Sequence, residues 1–267
     1  MRRRACLLLL GLNLGGCTLS LDWMRQYRAQ RAITKQDYIG AVTILEQIVD
    51  QDPGSERGLN AARTGARVAH LDAKNYRQAI EFYRLIVLRS PDARERKSAQ
   101  QYIAQIHFEN LQEFDAAVIE FERLLKLADN KEEAFRYRMN LAKCHFQMNN
   151  LEQSVAELNQ LLETKPEGDN LYEIRMLKAN VMVANKQPGE AAALWDAILK
   201  EFPARAVKEN VGLNLVVVYE ELQDFEKAIG VLERMRPEYP NPDFLNLRIE
   251  RLKERQANLP GARGWRK

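Results

Sequence analysis

The feature that most constrains the fold is a small residue that recurs every 37 or 38 positions. An apolar residue follows each one four and seven positions later, and in five of the six segments a proline follows twelve positions later. Offsets of zero, four and seven share one helix face, and proline ends a helix because it lacks an N–H. Each segment therefore predicts an amphipathic helix. The six small residues are Ala41, Ala79, Ala117, Ser154, Ala191 and Ala228.

A second amphipathic segment precedes each of these helices, for example at 139–148 and 213–222. The small residue lets the two helix backbones of such a pair approach closely. The sequence thus predicts an all-α protein with six stacked helical hairpins over 23–240, a capping helix at 241–258 and a flexible tail at 259–267. Asp37, Asn75, Asn150 and Asp224 are good N-caps for the second helices, whereas Glu113 and Gln187 are poorer.

This pattern resembles the tetratricopeptide repeat, a helical hairpin whose standard unit has 34 residues. The resemblance covers about 23–240 and implies a right-handed solenoid. The units here are three or four residues longer than the standard, and we expect the excess to lie between units. The glycine that the standard repeat carries in its turn is also replaced. Its replacements are Gln36, Lys74, Gln112, Asn149, Lys186 and Gln223.

The N-terminus carries the pattern of a bacterial lipoprotein. Arg2–Arg4 precede an apolar run, Cys6–Leu14, that is too short to cross a bilayer as a permanent helix. Leu14-Gly15-Gly16-Cys17 resembles the lipobox. This resemblance implies a signal peptide at 1–16 and a Cys17 that carries a fatty acid such as palmitate. Residues 17–22 would then form a short tether, and Thr18 after the cysteine favours the outer membrane. A plain signal peptide with an accidental cysteine is the alternative.

Charge and cysteine content exclude several functions. The chain has 40 basic and 37 acidic residues, so removal of Arg2–Arg4 would leave it neutral, without the basic surplus that nucleic-acid binding needs. After loss of Cys6 and acylation of Cys17, Cys144 is left alone and no disulfide can form. Its neighbour His145 points about 100° away on a helix, so we predict that Cys144 is a buried small residue and not a nucleophile.

The remaining residues argue against catalysis. His70, His107 and His145 occur once per repeat, which favours core packing over metal binding. The sequence has no paired-histidine spacing, Cys-x-x-Cys, phosphate-binding glycine loop or Gly-x-Ser-x-Gly motif. We therefore predict a protein that is not an enzyme and that has no cofactor, no metal and no small-molecule substrate. Acidic side chains that the fold brings together are the alternative.

The resemblance also implies a binding groove lined by the first helix of each hairpin. In this family the groove residues stand 18, 15, 11, 8 and 7 positions before the small residue. Arg136, Lys143 and Phe146 combine cations with an aromatic ring, which suits the carboxylates or main chain of a peptide. Solvated helix faces are the alternative for any one of these positions. The predicted groove residues are Tyr102, Glu109, Asn110, Arg136, Lys143, Phe146, Gln147, Met176, Asn180, Asn210 and Glu220.

These features together predict a lipid-anchored scaffold that binds envelope proteins or peptides. We expect it in the inner leaflet of the outer membrane of a diderm bacterium, facing the periplasm. The chain resembles the helical-repeat lipoprotein of the outer-membrane β-barrel assembly complex and also the type IV pilus pilotins, which assist secretin assembly. A cofactor for peptidoglycan synthesis or cell division is the alternative. Sugar binding would favour several exposed aromatic residues, and only Trp23, Tyr102 and Phe146 fit that role.

Overall fold

The computed structural model describes residues 15–237 and 239–258, and for residues 15–22 it describes the backbone alone. Within these ranges the chain forms helices and turns and has no strand, which confirms the predicted all-α class. The predicted tail at 259–267, and the signal peptide apart from Gly15 and Gly16, lie outside the described residues. The chain divides into two compact units, Met1–Leu127 and Ala128–Lys267.

Three helical hairpins make up the described part of the first unit, and each pairs a first helix with a second helix. Buried residues from Ala29 to Ile106 form one continuous core in this unit. The helices are α1 (Gly15–Thr34) with α2 (Tyr38–Gln51), α3 (Glu56–Arg67) with α4 (Tyr76–Arg89), and α5 (Ala93–Gln105) with α6 (Phe114–Lys126). Helix α3 continues into the π-helical turn π1 (Val68–Asp72), and α5 continues into π2 (Ile106–Asn110).

The described part of the second unit contains three more hairpins and a last helix around one core, which runs from Met139 to Leu252. In its third hairpin the first helix is broken into two pieces at Asn210, which is left-handed with φ +57°. The helices are α7 (Lys131–Gln147) with α8 (Leu151–Glu163), α9 (Gly168–Ala184) with α10 (Pro188–Glu201), α11 (Pro203–Lys208) and α12 (Val211–Glu221) with α13 (Phe225–Met235), and α14 (Pro242–Ala257).

The second helices begin where the repeat pattern predicts. The side chains of Asp37, Asn75 and Asp224 each accept a hydrogen bond from a backbone N–H three residues later, which satisfies a donor that the helix cannot pair itself. Asn150 makes no such bond, so the prediction of a side-chain cap at this residue is wrong. The backbone N–H of Asn150 donates to the carbonyl of His145 at 2.8 Å, just as the N–H of Asp224 donates to the carbonyl of Tyr219.

Each hairpin buries the recurring small residue of its second helix, together with an alanine of its first helix in five hairpins and Val216 in the sixth. The six recurring small residues are all buried, and their partners on the first helices are buried as well. In the fourth hairpin the Ser154 hydroxyl donates to the Ala142 carbonyl at 2.9 Å, a backbone approach that a larger side chain would prevent. The corresponding first-helix residues are Ala29, Ala66, Ala104, Ala142, Ala179 and Val216.

The two π-helical turns account for the uneven period of the repeat. A π-helical turn holds one residue more than an α-helical turn. The intervals that contain π1 and π2, from Ala41 to Ala79 and from Ala79 to Ala117, have 38 residues, whereas the later intervals have 37. We expected the excess residues to lie between units. This expectation is wrong for the one extra residue of each 38-residue interval, which lies in the π-helical turn at the end of the first helix.

The N-terminal helix starts earlier than the predicted first hairpin. Helix α1 already begins at Gly15, so the backbone of the predicted tether at 17–22 is helical and continuous with the hairpin. None of the helices in the described ranges combines the length and the apolar character that crossing a membrane requires. The capping helix that we predicted at 241–258 is present as α14, and it buries Leu245, Ile249 and Leu252.

All six positions that replace the turn glycine have a left-handed backbone, with φ between 52° and 61°. This conformation costs a residue with a side chain roughly 1–2 kcal/mol, but glycine adopts it freely. We predict that Gln112→Gly raises the free energy of unfolding by about 1 kcal/mol, measured by urea denaturation.

The matched control is Gln105→Gly, whose position has helical φ of −63°. Glycine inside a helix should lower the free energy of unfolding by about 1 kcal/mol there. Equal destabilisation by both substitutions would show that the left-handed turn carries no strain.

Candidate functional site

Helix α7 in the second unit places most of the predicted groove residues of its hairpin on one face. Arg136, Lys143, Phe146 and Gln147 are spaced seven, three and one residues apart, which keeps them on one side of the helix. Arg136 and Gln147 are exposed, and Lys143 and Phe146 are half-buried. The side of α7 that these residues share is therefore open to a ligand.

Phe146 and Met176 provide the apolar part of the site. Both are half-buried and pack against the edge of the core of the second unit, on α7 and α9. These two first helices contact each other. Asn180, one turn beyond Met176 on α9, is exposed. A peptide along these helices would contact apolar side chains that are already partly buried, and the amide of Asn180 lies one turn away.

Arg136 and Lys143 differ from most arginines of the second unit because neither forms an ion pair within the described residues. Arg138 pairs with Glu157 at 2.7 Å and Arg175 with Glu201 at 2.8 Å. The Arg136 guanidinium lies 5.6 Å from the ring centroid of its neighbour Tyr137, and its charge is not balanced by a carboxylate. Two unbalanced cations on one face suit a ligand that carries carboxylates.

Glu220 is already engaged by the last helix. Its carboxylate pairs with Arg248 at 2.8 Å and with Arg255 at 2.5 Å, and both arginines lie on α14. Between these two, Arg251 helps line a cavity of about 300 Å³ together with Phe244 and other residues. The sequence predicts α14 as a capping helix with a polar outer side, but we did not predict that its arginines bind Glu220. The spacing of three and seven residues from Arg248 to Arg251 and Arg255 is the signal that could have found them.

Asn210 is exposed and occupies the left-handed break between α11 and α12. Helix α11 is fixed by Arg205, which pairs with Asp169 at 2.9 Å, with Glu209 at 2.8 Å and also with Glu173. These hydrogen bonds raise the pKa of the Arg205 guanidinium, with Glu209 as the largest cause. The break therefore lies next to a cluster of ion pairs centred on Arg205.

The predicted groove residues of the first unit lie around a cluster of aromatic rings. Tyr102 is 44% exposed and stacks on Tyr83 with ring centroids 5.0 Å apart, and His70 packs edge-on against both. Burial raises the pKa of Tyr83 to about 12 and lowers the pKa of His70. Glu109 and Asn110 are exposed in π2.

The π-helical turn shifts the alignment of α5 by one residue. Tyr102 therefore corresponds to Asn140 and Leu177 of the later hairpins, not to Met139 and Met176. Simple counting back from Ala117 misses this shift, because spacing does not reveal where an extra residue sits.

The histidines do not form a metal site in the described part of the chain. Within it, no group of three or more His, Cys, Asp or Glu side chains is placed to hold a metal ion. His107 is buried, and its Nδ1 lies 2.9 Å from Glu113. Hydrogen bonds from Arg77, and then from His107, lower the pKa of Glu113. His70 and His145 are half-buried, so the predicted core packing holds fully for His107 alone.

Comparison with known proteins identifies the repeat. Models of the tetratricopeptide repeat match residues 103–169 and 182–248, which together make up half of the chain. The sequence matches no curated protein significantly.

Several solved structures share the fold. A tetratricopeptide repeat protein from Parabacteroides merdae is 14% identical with a TM-score of 0.52, and the match covers 88% of this chain and 89% of that one. PilW, described as a widely conserved type IV pilus biogenesis factor, is 15% identical with a TM-score of 0.52 over 86% and 98% of the two chains. A chain of the Naa15/Naa10 complex bound to HypK-THB is 13% identical with a TM-score of 0.57, over 87% of this chain and 39% of that one.

Cys144 is fully buried, as predicted, and burial raises the pKa of its thiol to about 12. A thiol reagent needs the thiolate and access to it. In a Cys6→Ser/Cys17→Ser background, we predict that native Cys144 reacts at pH 8 at least about a hundredfold more slowly than in denaturant, measured by absorbance with a chromogenic disulfide. Equal rates in native and denatured protein would show that this thiol is accessible.

Proposed function

Because this chain belongs to the tetratricopeptide-repeat family, we propose that it is a non-enzymatic scaffold that binds a peptide segment of an envelope protein. The observation that carries this proposal is the face of α7, where Arg136 and Lys143 form no ion pair within the described residues and share a side of the helix with half-buried Phe146. Stacked helical repeats present extended surfaces of this kind to partners. The ligand that complements the face is an extended segment with acidic and apolar side chains.

The mode of binding follows from the neighbours of this face. The carboxylates of the segment would pair with Arg136 and Lys143, and its apolar side chains would cover the exposed parts of Phe146 and Met176. The amides of Gln147, next to Phe146 in the sequence, and of Asn180, one turn beyond Met176, can bind the main chain of the segment. Side-chain pairs at such a surface set orientation and specificity more than total affinity.

The proposed location is the outer membrane, with Cys17 acylated and the repeats in the periplasm. The Leu14-Gly15-Gly16-Cys17 sequence supports this location. Two assembly pathways fit a scaffold there, that of outer-membrane β-barrel proteins and that of the type IV pilus secretin. The fold shared with PilW, described as a type IV pilus biogenesis factor, makes the pilus pathway the first to test.

We predict that Arg136→Glu with Lys143→Glu lowers partner capture by about tenfold or more, because repulsion replaces attraction for an acidic segment. The measurement is co-purification from detergent-solubilised envelopes with quantitative mass spectrometry. Circular dichroism and Tm should stay near wild type, since neither side chain forms an ion pair within the described residues and Arg136, which contacts the Tyr137 ring, is itself exposed.

The matched control is Lys200→Glu with Lys253→Glu, which reverses the same charge at two exposed residues elsewhere in the second unit. It should leave capture unchanged. An unaltered yield from the α7 variant would remove this face from the proposal. Capture of a secretin, of a β-barrel assembly complex or of a cell-wall synthase would name the pathway, and the last of these would favour the peptidoglycan alternative.

A separate prediction tests the anchor. Cells fed a labelled fatty acid should incorporate the label into this protein, and Cys17→Ser should abolish the labelling and release the protein from membranes. Cys144→Ser is the control and should be labelled normally, because its thiol is buried. A wild-type protein without label would contradict the lipoprotein assignment and leave the binding face untouched.

A further inference from the structure

In every first helix after α1, one side of the helix is buried. Three positions define this side, spaced four and three residues apart, and they are aligned here with allowance for the π-helical turns. Fourteen of the fifteen residues at these positions are buried, and Lys178 is half-buried. They are Ala61, Gly65 and Val68; Ala99, Ile103 and Ile106; Tyr137, Leu141 and Cys144; Ile174, Lys178 and Val181; and Val211, Leu215 and Val218.

The same side of α1 is exposed and differs in composition. Its three residues are Met24, Arg28 and Arg31, and all three are exposed, with Met24 at 37%. Neither arginine forms an ion pair within the described residues. An apolar helix that covered Arg28 and Arg31 would remove two charges from water at a large cost in free energy. This side of α1 therefore suits a polar or charged environment.

An aromatic pair borders this side. Trp23 and Tyr27 are 66% and 55% exposed, and their rings stack with centroids 5.7 Å apart. From Trp23 to Thr34 the helix carries three arginines and no acidic residue. Tryptophan and tyrosine are enriched where hydrocarbon meets headgroups, and arginines attract anionic lipids. This combination of residues is typical of a helix that lies on a membrane surface.

An acylated Cys17 would connect this side to the bilayer. It belongs to α1 and lies seven residues before Met24, so the two positions share a helix face and are about 10 Å apart along the axis. An acyl chain at Cys17 would hold this side within reach of the headgroups. The anchor raises the local concentration of lipid, so that even weak contacts would form.

We propose that the side of α1 formed by Met24, Arg28 and Arg31, together with Trp23 and Tyr27, lies on an anionic membrane surface. The arginines pair with lipid phosphates, and the aromatic rings enter the interface beside the acyl chain. The anchor in this proposal rests on the proposed function, but the face itself can be tested without it. A protein partner at the same face is favoured less, since the anchor would bring lipid to it first.

The test uses the acylated protein in vesicles of phosphatidylethanolamine and phosphatidylglycerol whose acyl chains are brominated, because bromine quenches indole only at close range. A Trp265→Phe background removes the indole of the tail, and Trp195 is buried in the core. We expect tryptophan emission to fall in these vesicles and Trp23→Phe to remove most of that quenching. Arg28→Glu with Arg31→Glu should reduce the quenching at least twofold.

The matched control is Arg89→Glu with Arg94→Glu, two exposed arginines of the same unit, which should leave quenching unchanged. Quenching no greater than in Trp23→Phe would overturn the proposal even in an acylated protein. Unchanged quenching in Arg28→Glu/Arg31→Glu together with lost partner capture would also overturn it, in favour of a protein-binding face.

If Cys17 is not acylated, the proposed location fails and the face is tested alone. The Cys17→Ser chain is then floated with vesicles that contain or lack phosphatidylglycerol. Arg28→Glu with Arg31→Glu should lower flotation with the anionic vesicles at least threefold, and high salt should do the same. Equal flotation of the variant and its parent would overturn the proposal.

Discussion

The close crossing of two helices at a small residue is the constraint on which the rest of this structure depends. Where Ser154 meets Ala142, a side-chain hydroxyl reaches the backbone carbonyl of the opposite helix. At such a distance a larger side chain would force the helices apart, at a cost of about 1–3 kcal/mol. The apolar residues four and seven positions later then face the neighbouring helices and form the core, as Leu158 and Leu161 do here.

This constraint explains why so much of the fold could be predicted. A small residue, an apolar ladder and a helix terminator are local features, and each hairpin repeats them. The left-handed turn could also have been predicted from the sequence, because residues such as Lys74 and Gln112 stand where the family places a glycine. A residue with a side chain is tolerated in that conformation since the hairpin on both sides fixes the turn.

The π-helical turns show where prediction from spacing fails. An interval of 38 residues shows that one residue is inserted, but it does not show where. Only the backbone hydrogen bonds of the structure show that this residue lies in a π-helical turn and not in a loop. The consequence reaches the site, because the alignment of Tyr102 changes by one residue. Asn150 is a similar case, since its residue type suits an N-cap but its side chain makes no cap hydrogen bond.

Ion pairing between distant residues was the other element that the sequence did not reveal. Glu220 and Arg136 were predicted for the same groove, but Glu220 binds two arginines that follow it by 28 and 35 residues, whereas Arg136 has no carboxylate partner within the described residues. Helix periodicity predicts the face on which Glu220 and Arg136 lie. It does not predict which side chains of other helices contact them. Only the folded chain shows which of these two charges has an ion-pair partner within the described residues.

Helix α1 and helix α14, the first and last described helices, each have a side that no further repeat covers, and the two sides differ in composition. A repeat that buries apolar surface against its neighbours must stop, and its last helix needs a side that tolerates water. Helix α14 buries Leu245, Ile249 and Leu252, and two arginines on its other side bind Glu220 at 2.8 Å and 2.5 Å. Helix α1 keeps Arg28 and Arg31 unpaired within the described residues and adds two stacked aromatic rings. A cap that served solubility alone would need the arginines but not the rings, and the rings are what a headgroup layer would accommodate.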